Sequence, residues 1–439
     1  MQLPGNASHG KPSQLKIRNQ RLVSLLAGLC FFLSALEYLI PKPLPFIRIG
    51  LANFPLLLAL DMLPFPSFIL LLALKTTGQA LISGSLFSYV FLFSIAGTAV
   101  STLLMYALRR GIGKEKISLI GISAAGAMAF NGVQLVLAYY FVFGESARYA
   151  AAPILTLGII TGTLLGILSE YFILHSKWYA HIVKTHTKTH RTFGSRHKER
   201  KENISNHDSA PPCLRVSNKL SKAPWKKLES FREAREVFCL KHFGSGELAI
   251  AALCMIPALL LNPDTKARVI QFLFFFFIAW LSGKKINPLL TILTTLGIVF
   301  FNLLVPYGEI LFKIGPIAIT QGALLTGILR AVTLQGLFMV SRCCVRNDLV
   351  LPGSFGEIIG ESFRVFSHLA EEKQFLTRQN WASRLDEILI AVQEASAIYK
   401  SDSGTEHEAG RSIRSRIAPK IILAATVILA WLPLLSGKL

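Results

Sequence analysis

Charged residues are scarce in this sequence. They make up 16% of its 439 residues, while 52% of the residues are hydrophobic; an average soluble domain is about 25% charged. The apolar residues form blocks of roughly 20, which is the length that crosses a bilayer as a helix. The alternating pattern expected of a membrane β-barrel is missing. The composition therefore predicts an all-α, polytopic membrane protein.

Clusters of carboxylates are also missing. The first 175 residues hold only isolated acidic residues: Glu37, Asp61, Glu115, Glu145 and Glu170. A magnesium–diphosphate site needs clustered carboxylates, and the chain lacks a Gly-x-x-x-x-Gly-Lys-Ser/Thr phosphate loop. Its six cysteines form no Cys-x-x-Cys pair and no zinc-type spacing. We therefore expect no enzyme activity, no cofactor and no metal site.

Positive charge, by contrast, is abundant. Lys and Arg outnumber Asp and Glu by 46 to 25, a formal net charge of +21. The cations precede the first apolar block and follow the fourth and sixth, so the positive-inside rule predicts that these places, and with them the N-terminus, are cytoplasmic. No basic stripe with interleaved aromatics accompanies the charge, so we expect contacts with membrane lipids and not with nucleic acid. No removable signal peptide is expected.

Eleven apolar segments divide the chain into two membrane modules. Residues 1–175 contain six of them and residues 246–439 contain five, with a linker at 176–245. The first six lie at about 20–40, 50–62, 65–84, 86–108, 117–142 and 152–174, and the other five at about 246–261, 267–282, 286–305, 317–340 and 419–435. The sequence thus predicts six plus five membrane helices.

The linker at 176–245 is strongly basic. It holds sixteen Lys and Arg against six Asp and Glu, together with six of the ten histidines. Such composition is typical of a cytoplasmic tether, disordered in its middle, beside anionic lipid head groups. The histidines leave metal binding open as an alternative.

The stretch 345–417 is too polar to span a membrane. It contains two segments with apolar residues at helical i, i+3, i+4 spacing, of which the second includes Leu385 and Ile388. We therefore expect cytoplasmic amphipathic helices that lie against the membrane surface, each other or a partner.

Polar groups inside the first module are the candidates for a binding site. Charges at bilayer depth are costly unless they face a cavity or a partner, and interhelical hydrogen bonding is the alternative role. Asp61 and Glu170 lie near segment ends, which favours a structural role for them. The candidates for solute binding are Arg48, Asn53, Lys75, Gln79, Asn131 and Gln134.

Three stretches of the first module resemble a known family. "IRIGLANFPLLLAL", "LKTTGQALISGSLFS" and "GAMAFNGVQLVLAYY" resemble the Gx transporter family, whose members carry the label heptaprenyl diphosphate synthase component I. That family is similar to the substrate-binding S components of energy-coupling factor (ECF) transporters. Members carry an arginine near Lys75, where this sequence departs from the pattern. The resemblance implies a six-helix module whose 41–55 region closes over a solute cavity lined by Arg48 and Asn53.

The second module resembles the ECF T component, the membrane scaffold of the same transporters. "LSGKKINPLL" and "GPIAITQGALLTGILRAVTL" carry this resemblance. It implies separate ATPase subunits as partners in trans, docked through cytoplasmic coupling helices. The residues assigned to this coupling are Leu385, Arg411, Arg414 and Arg416, although none of the three arginines directly follows an alanine.

These observations favour a multi-pass subunit of an ECF-type importer in the bacterial cytoplasmic membrane. A guanidinium at Arg48 suits an anionic or carboxylate-bearing solute. Two other functions stay open: a membrane accessory component of polyprenyl diphosphate synthesis, and a membrane scaffold that transports nothing.

Overall fold

A computed structural model describes most of both modules. It describes residues 11–39, 50–113, 115–183, 235, 238–239, 242–262, 264–283, 288–314, 317–344, 353–371, 382–383, 385–391, 393 and 417–436. Arg48, Arg411, Arg414, Arg416 and most of the 176–245 linker therefore lie outside the described residues.

The first module consists of six α-helices. They are α1 (Lys11–Leu39), α2 (Phe54–Met62), α3 (Phe65–Ser83), α4 (Tyr89–Ile112), α5 (Leu119–Ala138) and α6 (Ala147–His175). Proline marks the start of α2 and α3, where its missing N–H costs nothing. Gly84 ends α3 with a φ of 66°, a left-handed conformation that suits glycine.

The second module contains six further described helices and one hairpin. They are α7 (Ser245–Leu260), α8 (Thr265–Leu281), α9 (Pro288–Leu303), β1 (Ile310–Ile314), β2 (Ile317–Thr320), α10 (Gln321–Cys344), α11 (Gly353–Glu371) and α12 (Ile417–Ser436). The antiparallel hairpin corrects the sequence prediction of one apolar helical segment over 317–340. Its strands flank the Gly315-Pro316 dipeptide, a turn sequence, and the helix begins only at Gln321.

Within the described residues, five segments are long and apolar enough to cross a membrane by length and composition. They are Asn19–Glu37, Phe65–Ser83, Tyr89–Ile112, Leu119–His175 and Gln321–Cys343. The fourth contains both α5 and α6, joined by a π-helical turn at Tyr139–Phe143. The predicted class, an all-α membrane protein, is confirmed, while the count of eleven membrane helices stays a prediction.

Close packing of α5 and α6 rests on three glycines spaced four residues apart. A Cβ on Gly162 would lie 2.6 Å from the Ala127 Cβ, and one on Gly166 would lie 2.5 Å from the Ile120 Cα. Glycines at this spacing let the two backbones approach where no apolar driving force between helices exists. The third glycine, Gly158, faces the candidate site.

The amphipathic helix α11 packs on α1 of the first module. The Ser24 hydroxyl donates to Glu361 Oε2 at 3.0 Å, and the Phe31 and Phe363 rings lie 4.9 Å apart. Gly28 makes the approach possible, because any side chain there would meet α11. Helix α11 therefore packs part of its amphipathic surface on the chain's own first helix.

The segment 382–393 also docks on the first module. Its Asp386 carboxylate accepts hydrogen bonds from the Ser176 hydroxyl, from Lys177 N (3.1 Å) and from Trp178 N (3.0 Å). These donors begin a helix over residues 177–183, so Asp386 caps that helix from outside. The start of the predicted linker is thus an ordered, partly buried helix and not a tether. Burial and the nearby charge of Asp61 raise the pKa of Tyr179 in this helix above its ordinary value.

Helix α10 runs across one end of the first module. Asn302 on α9 donates to Val142 O at 3.2 Å, and its neighbour Arg330 on α10 packs against Gly144 in the α5–α6 connection. Ser341 of α10, about 16 Å further along the helix, accepts a hydrogen bond from Phe87 N in the α3–α4 connection at 3.0 Å. Both connections lie at the same end of the module.

Contacts at both connections fix how α10 lies on the first module. Arg330 and Ser341 are about three helical turns apart on α10, yet they meet two connections at the same end of the module. Helix α10 therefore crosses this end, and the six helices of the first module are inclined to it.

Candidate functional site

A pocket lies among the 50–53 turn, α4, α5 and α6 in the first module. It is small, with a cavity volume of about 20 Å³, which is room for roughly one water molecule. The lining residues are Gly50, Asn53, Ser101, Met105, Ser123, Ala127, Phe130, Asn131, Thr161, Gly162 and Leu165. Amides and hydroxyls thus alternate with apolar groups around it.

An irregular turn at residues 50–53 forms one wall of the pocket. Gly50 has a φ of 91°, which favours glycine, and Leu51–Asn53 form a short 3₁₀ helix. Asn53 contacts Lys75, which lies eight residues, or about 12 Å, before the end of α3. Non-helical backbone at such depth in a membrane is tolerated where it lines a cavity. The turn therefore identifies the pocket as the functional candidate.

Two buried charges hold this turn from opposite sides. The Glu37 carboxylate of α1 accepts a hydrogen bond from Gly50 N at 3.2 Å. The Lys75 ammonium of α3 donates to Asn53 Oδ1. Both side chains are nearly inaccessible, at 2% and 3% exposure, so their charges position the turn instead of meeting solvent.

Asn131 is fixed on the opposite wall. Its Nδ2 donates to Ile154 O at 3.0 Å, where α6 presents Gly158; a Cβ at that position would overlap the amide nitrogen. The close approach of α5 and α6 thus decides where the Asn131 amide lies.

The predicted solute-binding residues separate into three groups. Asn53 and Asn131 line the pocket, whereas Arg48 lies outside the described residues. In the described part of the chain, the lining does not include Lys75, Gln79 or Gln134. Lys75 stands behind Asn53. Both glutamines are buried, and Gln79 Oε1 and Gln134 Nε2 have no hydrogen-bond partner among the described residues. Direct solute contact is therefore replaced by a supporting role for Lys75.

Sequence reasoning missed the hydroxyl-bearing walls of the pocket. Ser101 and Ser123 are buried, and Thr161 lies beside them. A single serine or threonine in an apolar helix does not predict a binding site, because its hydroxyl can donate a hydrogen bond to a backbone carbonyl of the same helix. The Gly158, Gly162, Gly166 spacing on α6 was the available signal, since it predicts a close helix contact.

A buried ion pair closes the end of the module opposite the α3–α4 connection. Arg109 of α4 donates to both Asp61 oxygens of α2, at 3.1 and 2.7 Å, and to Ile117 O at 3.3 Å. Glu170 accepts from Leu119 N at 3.2 Å. These contacts support the structural role that the sequence favoured for Asp61 and Glu170.

Of the coupling residues, the structure describes Leu385 alone. Leu385 is buried in the core shared by α1, α2 and α11, with 7% exposure. Its side chain therefore contacts this chain and not a partner, which corrects its role as a docking anchor. Among the described residues no group of three or more His, Cys, Asp or Glu could hold a metal ion.

The Asn131–Gly158 contact can be tested by substitution. Gly158→Ala is expected to displace the amide and to destabilise the protein by about 1–3 kcal/mol, the usual cost of overpacking. Gly132→Ala is the control, because within the described residues no atom lies within 4 Å of its added Cβ. Thermal unfolding in detergent measures the stability of both variants. Equal unfolding midpoints for Gly158→Ala and Gly132→Ala would show that Asn131 does not pack tightly against α6.

Two family models match separate parts of the chain. Residues 246–347 match a domain of unknown function (DUF8519). No curated protein and no solved structure matches the chain. Residues 26–172, which contain the whole pocket, match the family described as heptaprenyl diphosphate synthase component I. The module that contains the pocket is therefore the part of the chain that is similar to the heptaprenyl diphosphate synthase component I family.

Proposed function

We propose that this chain is the membrane subunit of an ECF-type importer. The first module binds a small solute, and the second couples it to separate ATPase subunits. The observation that carries this proposal is the pocket at membrane depth, walled by the irregular 50–53 turn and by fixed amides. Irregular backbone and fixed amides at this depth are features that a solute site in a helical membrane module requires.

The contacts between the modules support coupling. Helix α11 lies on α1, and Asp386 caps the helix that follows α6. Tyr179 in that helix interacts with Asp61, which is paired with Arg109. A displacement of the 382–393 segment would thus be passed to α4, which lines the pocket, and to α2, which directly follows the 50–53 turn of the pocket wall.

The family description favours a second candidate, an accessory role in polyprenyl diphosphate synthesis. A non-transporting scaffold is the third. The three functions differ in partners: ATPases, a prenyl synthase subunit or neither.

Purification of the tagged full chain from its native membranes tests this choice. Importer function predicts that phosphate-loop ATPases copurify in fixed proportion and that uptake into vesicles requires ATP. A prenyl synthase subunit enriched without ATPases would assign the accessory role. If neither class of partner copurifies and no ATP-dependent uptake is measured, the result would assign the scaffold role to the chain.

The arginine stretch after 410 provides a test of coupling. Joint replacement of Arg411 and Arg414 by alanine is expected to abolish uptake and ATPase copurification, because arginines bind acidic groups of a partner protein. Solute binding is expected to stay intact. Leu385→Asp serves as a contrast: a charge in the core would unfold the region and lower solute binding as well. Wild-type uptake in the double arginine variant would remove these residues from coupling.

A further inference from the structure

The β1–β2 hairpin of the second module exposes a run of apolar side chains. Tyr307, Ile310, Leu311 and Phe312 are each at least half exposed. Strand β2 contacts α9 and α10, whereas β1 is the outer strand and, among the described residues, pairs with β2 alone. Adjacent large apolar side chains that stay exposed on one short strand mark a surface that contacts another phase or another molecule.

A β-bulge lies within this run. The pairing of β1 with β2 shifts register between Ile310 and Phe312, so Leu311 is the extra residue. In a regular strand, successive side chains point to opposite faces. A bulge interrupts that alternation and changes the direction of the side chains. The interruption allows three consecutive apolar side chains of β1 to be exposed together.

The hairpin is tied to the beginning of a membrane-length helix. Gln321 N, at the start of α10, donates to Glu309 O at 2.8 Å. The Tyr307 hydroxyl forms a hydrogen bond with the Thr326 hydroxyl, between one and two turns inside the same helix. Gln321–Cys343 is long and apolar enough to cross a bilayer. The hairpin therefore lies at the level where a membrane-length helix begins.

The physical requirements of the hairpin match one layer of the membrane. Open strand edges do not occur where they face the hydrocarbon core, because their backbone groups find no partner there. Water does not suit the apolar side chains, since their exposure to it costs free energy. The head-group region offers both polar partners and the first acyl carbons. Tyrosine and lysine, here Tyr307 and the exposed Lys313, are residues that anchor proteins in this layer.

We propose that the β1–β2 hairpin is a membrane-interface anchor that binds the phospholipids of one leaflet. Ile310, Leu311 and Phe312 insert among the glycerol groups and upper acyl carbons, and Lys313 extends its ammonium group to the phosphates. The anchor holds the beginning of α10 at the bilayer surface. This inference does not depend on the importer function, because it concerns only where the hairpin lies.

Photo-crosslinking from position 312 tests the anchor. In separate variants of the full chain, a phenylalanine analogue that carries a benzophenone replaces Phe312, Leu103 or Glu357. Leu103 is an exposed residue in a membrane-length helix, and Glu357 is an exposed residue of the amphipathic α11. Each variant is irradiated in phospholipid nanodiscs and in its native membranes. Mass spectrometry measures the fraction of each site that carries a lipid adduct.

Position 312 is expected to form lipid adducts at least fivefold more often than position 357 and within about threefold of position 103. A water-soluble sulfonated succinimidyl acetate, added to the wild-type chain in nanodiscs, should acetylate Lys313 at least tenfold faster than Lys75. Lys75 is almost completely buried, whereas an interfacial lysine keeps its ammonium group in water.

Two results would overturn the anchor. Adducts with another protein at position 312 in native membranes, in place of lipid, would assign the hairpin to a protein partner. Lipid adducts no more frequent than at position 357 would leave the hairpin in water. If lipid adducts form but Lys313 reacts as slowly as Lys75, the hairpin lies in the hydrocarbon core and the interfacial position is wrong.

Discussion

Replacing Arg109 by methionine is expected to lower the free energy of unfolding by about 3–5 kcal/mol. The substitution leaves the Asp61 carboxylate, whose side chain is 8% exposed, buried without its cationic partner, and an uncompensated buried charge costs roughly this much. Arg109 donates two hydrogen bonds to Asp61 and one to Ile117 O. All three are lost together. Unfolding by a denaturing detergent, monitored by circular dichroism, measures the difference.

An exposed ion pair in the same chain supplies the control. Lys420 and Glu247 lie 3.5 Å apart with side chains 52% and 39% exposed, so Lys420→Met should cost about 1 kcal/mol or less. A double variant, Arg109→Met with Asp61→Leu, should regain much of the lost stability because no charge is left buried. Equal losses for Arg109→Met and Lys420→Met would mean that solvent reaches the Asp61 pair.

Replacing Gly28 by leucine is expected to dislodge α11 from α1. Even the Cβ would lie 2.6 Å from Val365 Cβ and 2.9 Å from Ser362 O, and the backbone oxygen cannot yield unless the helix moves. Overpacking of this kind costs about 1–3 kcal/mol, and here it also separates Ser24 from Glu361. Hydrogen exchange of the α11 amides in the full chain should accelerate at least tenfold.

Gly360 on α11 provides the matched control. In the described structure nothing lies within 4 Å of a Cβ added there, so Gly360→Ala should leave α11 exchange unchanged or slower, as alanine favours the helix. Wild-type exchange in the Gly28 variant would show that α11 does not rest on α1 in the membrane.

Helix positions followed from local patterns. The apolar blocks located all six helices of the first module, because burial in lipid or in a helix bundle imposes a continuous apolar length. The largest difference is at α1, which begins at Lys11 and not near residue 20, since its first turns are polar. The sequence did not predict the hairpin at 310–320, because a short apolar run is equally compatible with a strand and with a helix.

For the site, the structure brings two of the predicted residues to one pocket, while their role in solute binding stays a prediction. Asn53 and Asn131 line that pocket. Lys75 was assigned to the solute but turns to Asn53, and Ser101 and Ser123 were overlooked. A polar residue's partner depends on which helix faces it, and that is a long-range property.

The sequence by itself determined the class of the protein and the polar residues that lipid would not tolerate, while its division into two membrane modules stays a prediction. Composition and hydropathy settle these because every residue contributes to them locally. Only the tertiary structure decided that Leu385 is core, that α11 lies on α1 and that the first module is inclined to α10. Such choices depend on glycines like Gly28 and Gly158, whose absent side chains matter only once another helix occupies the space.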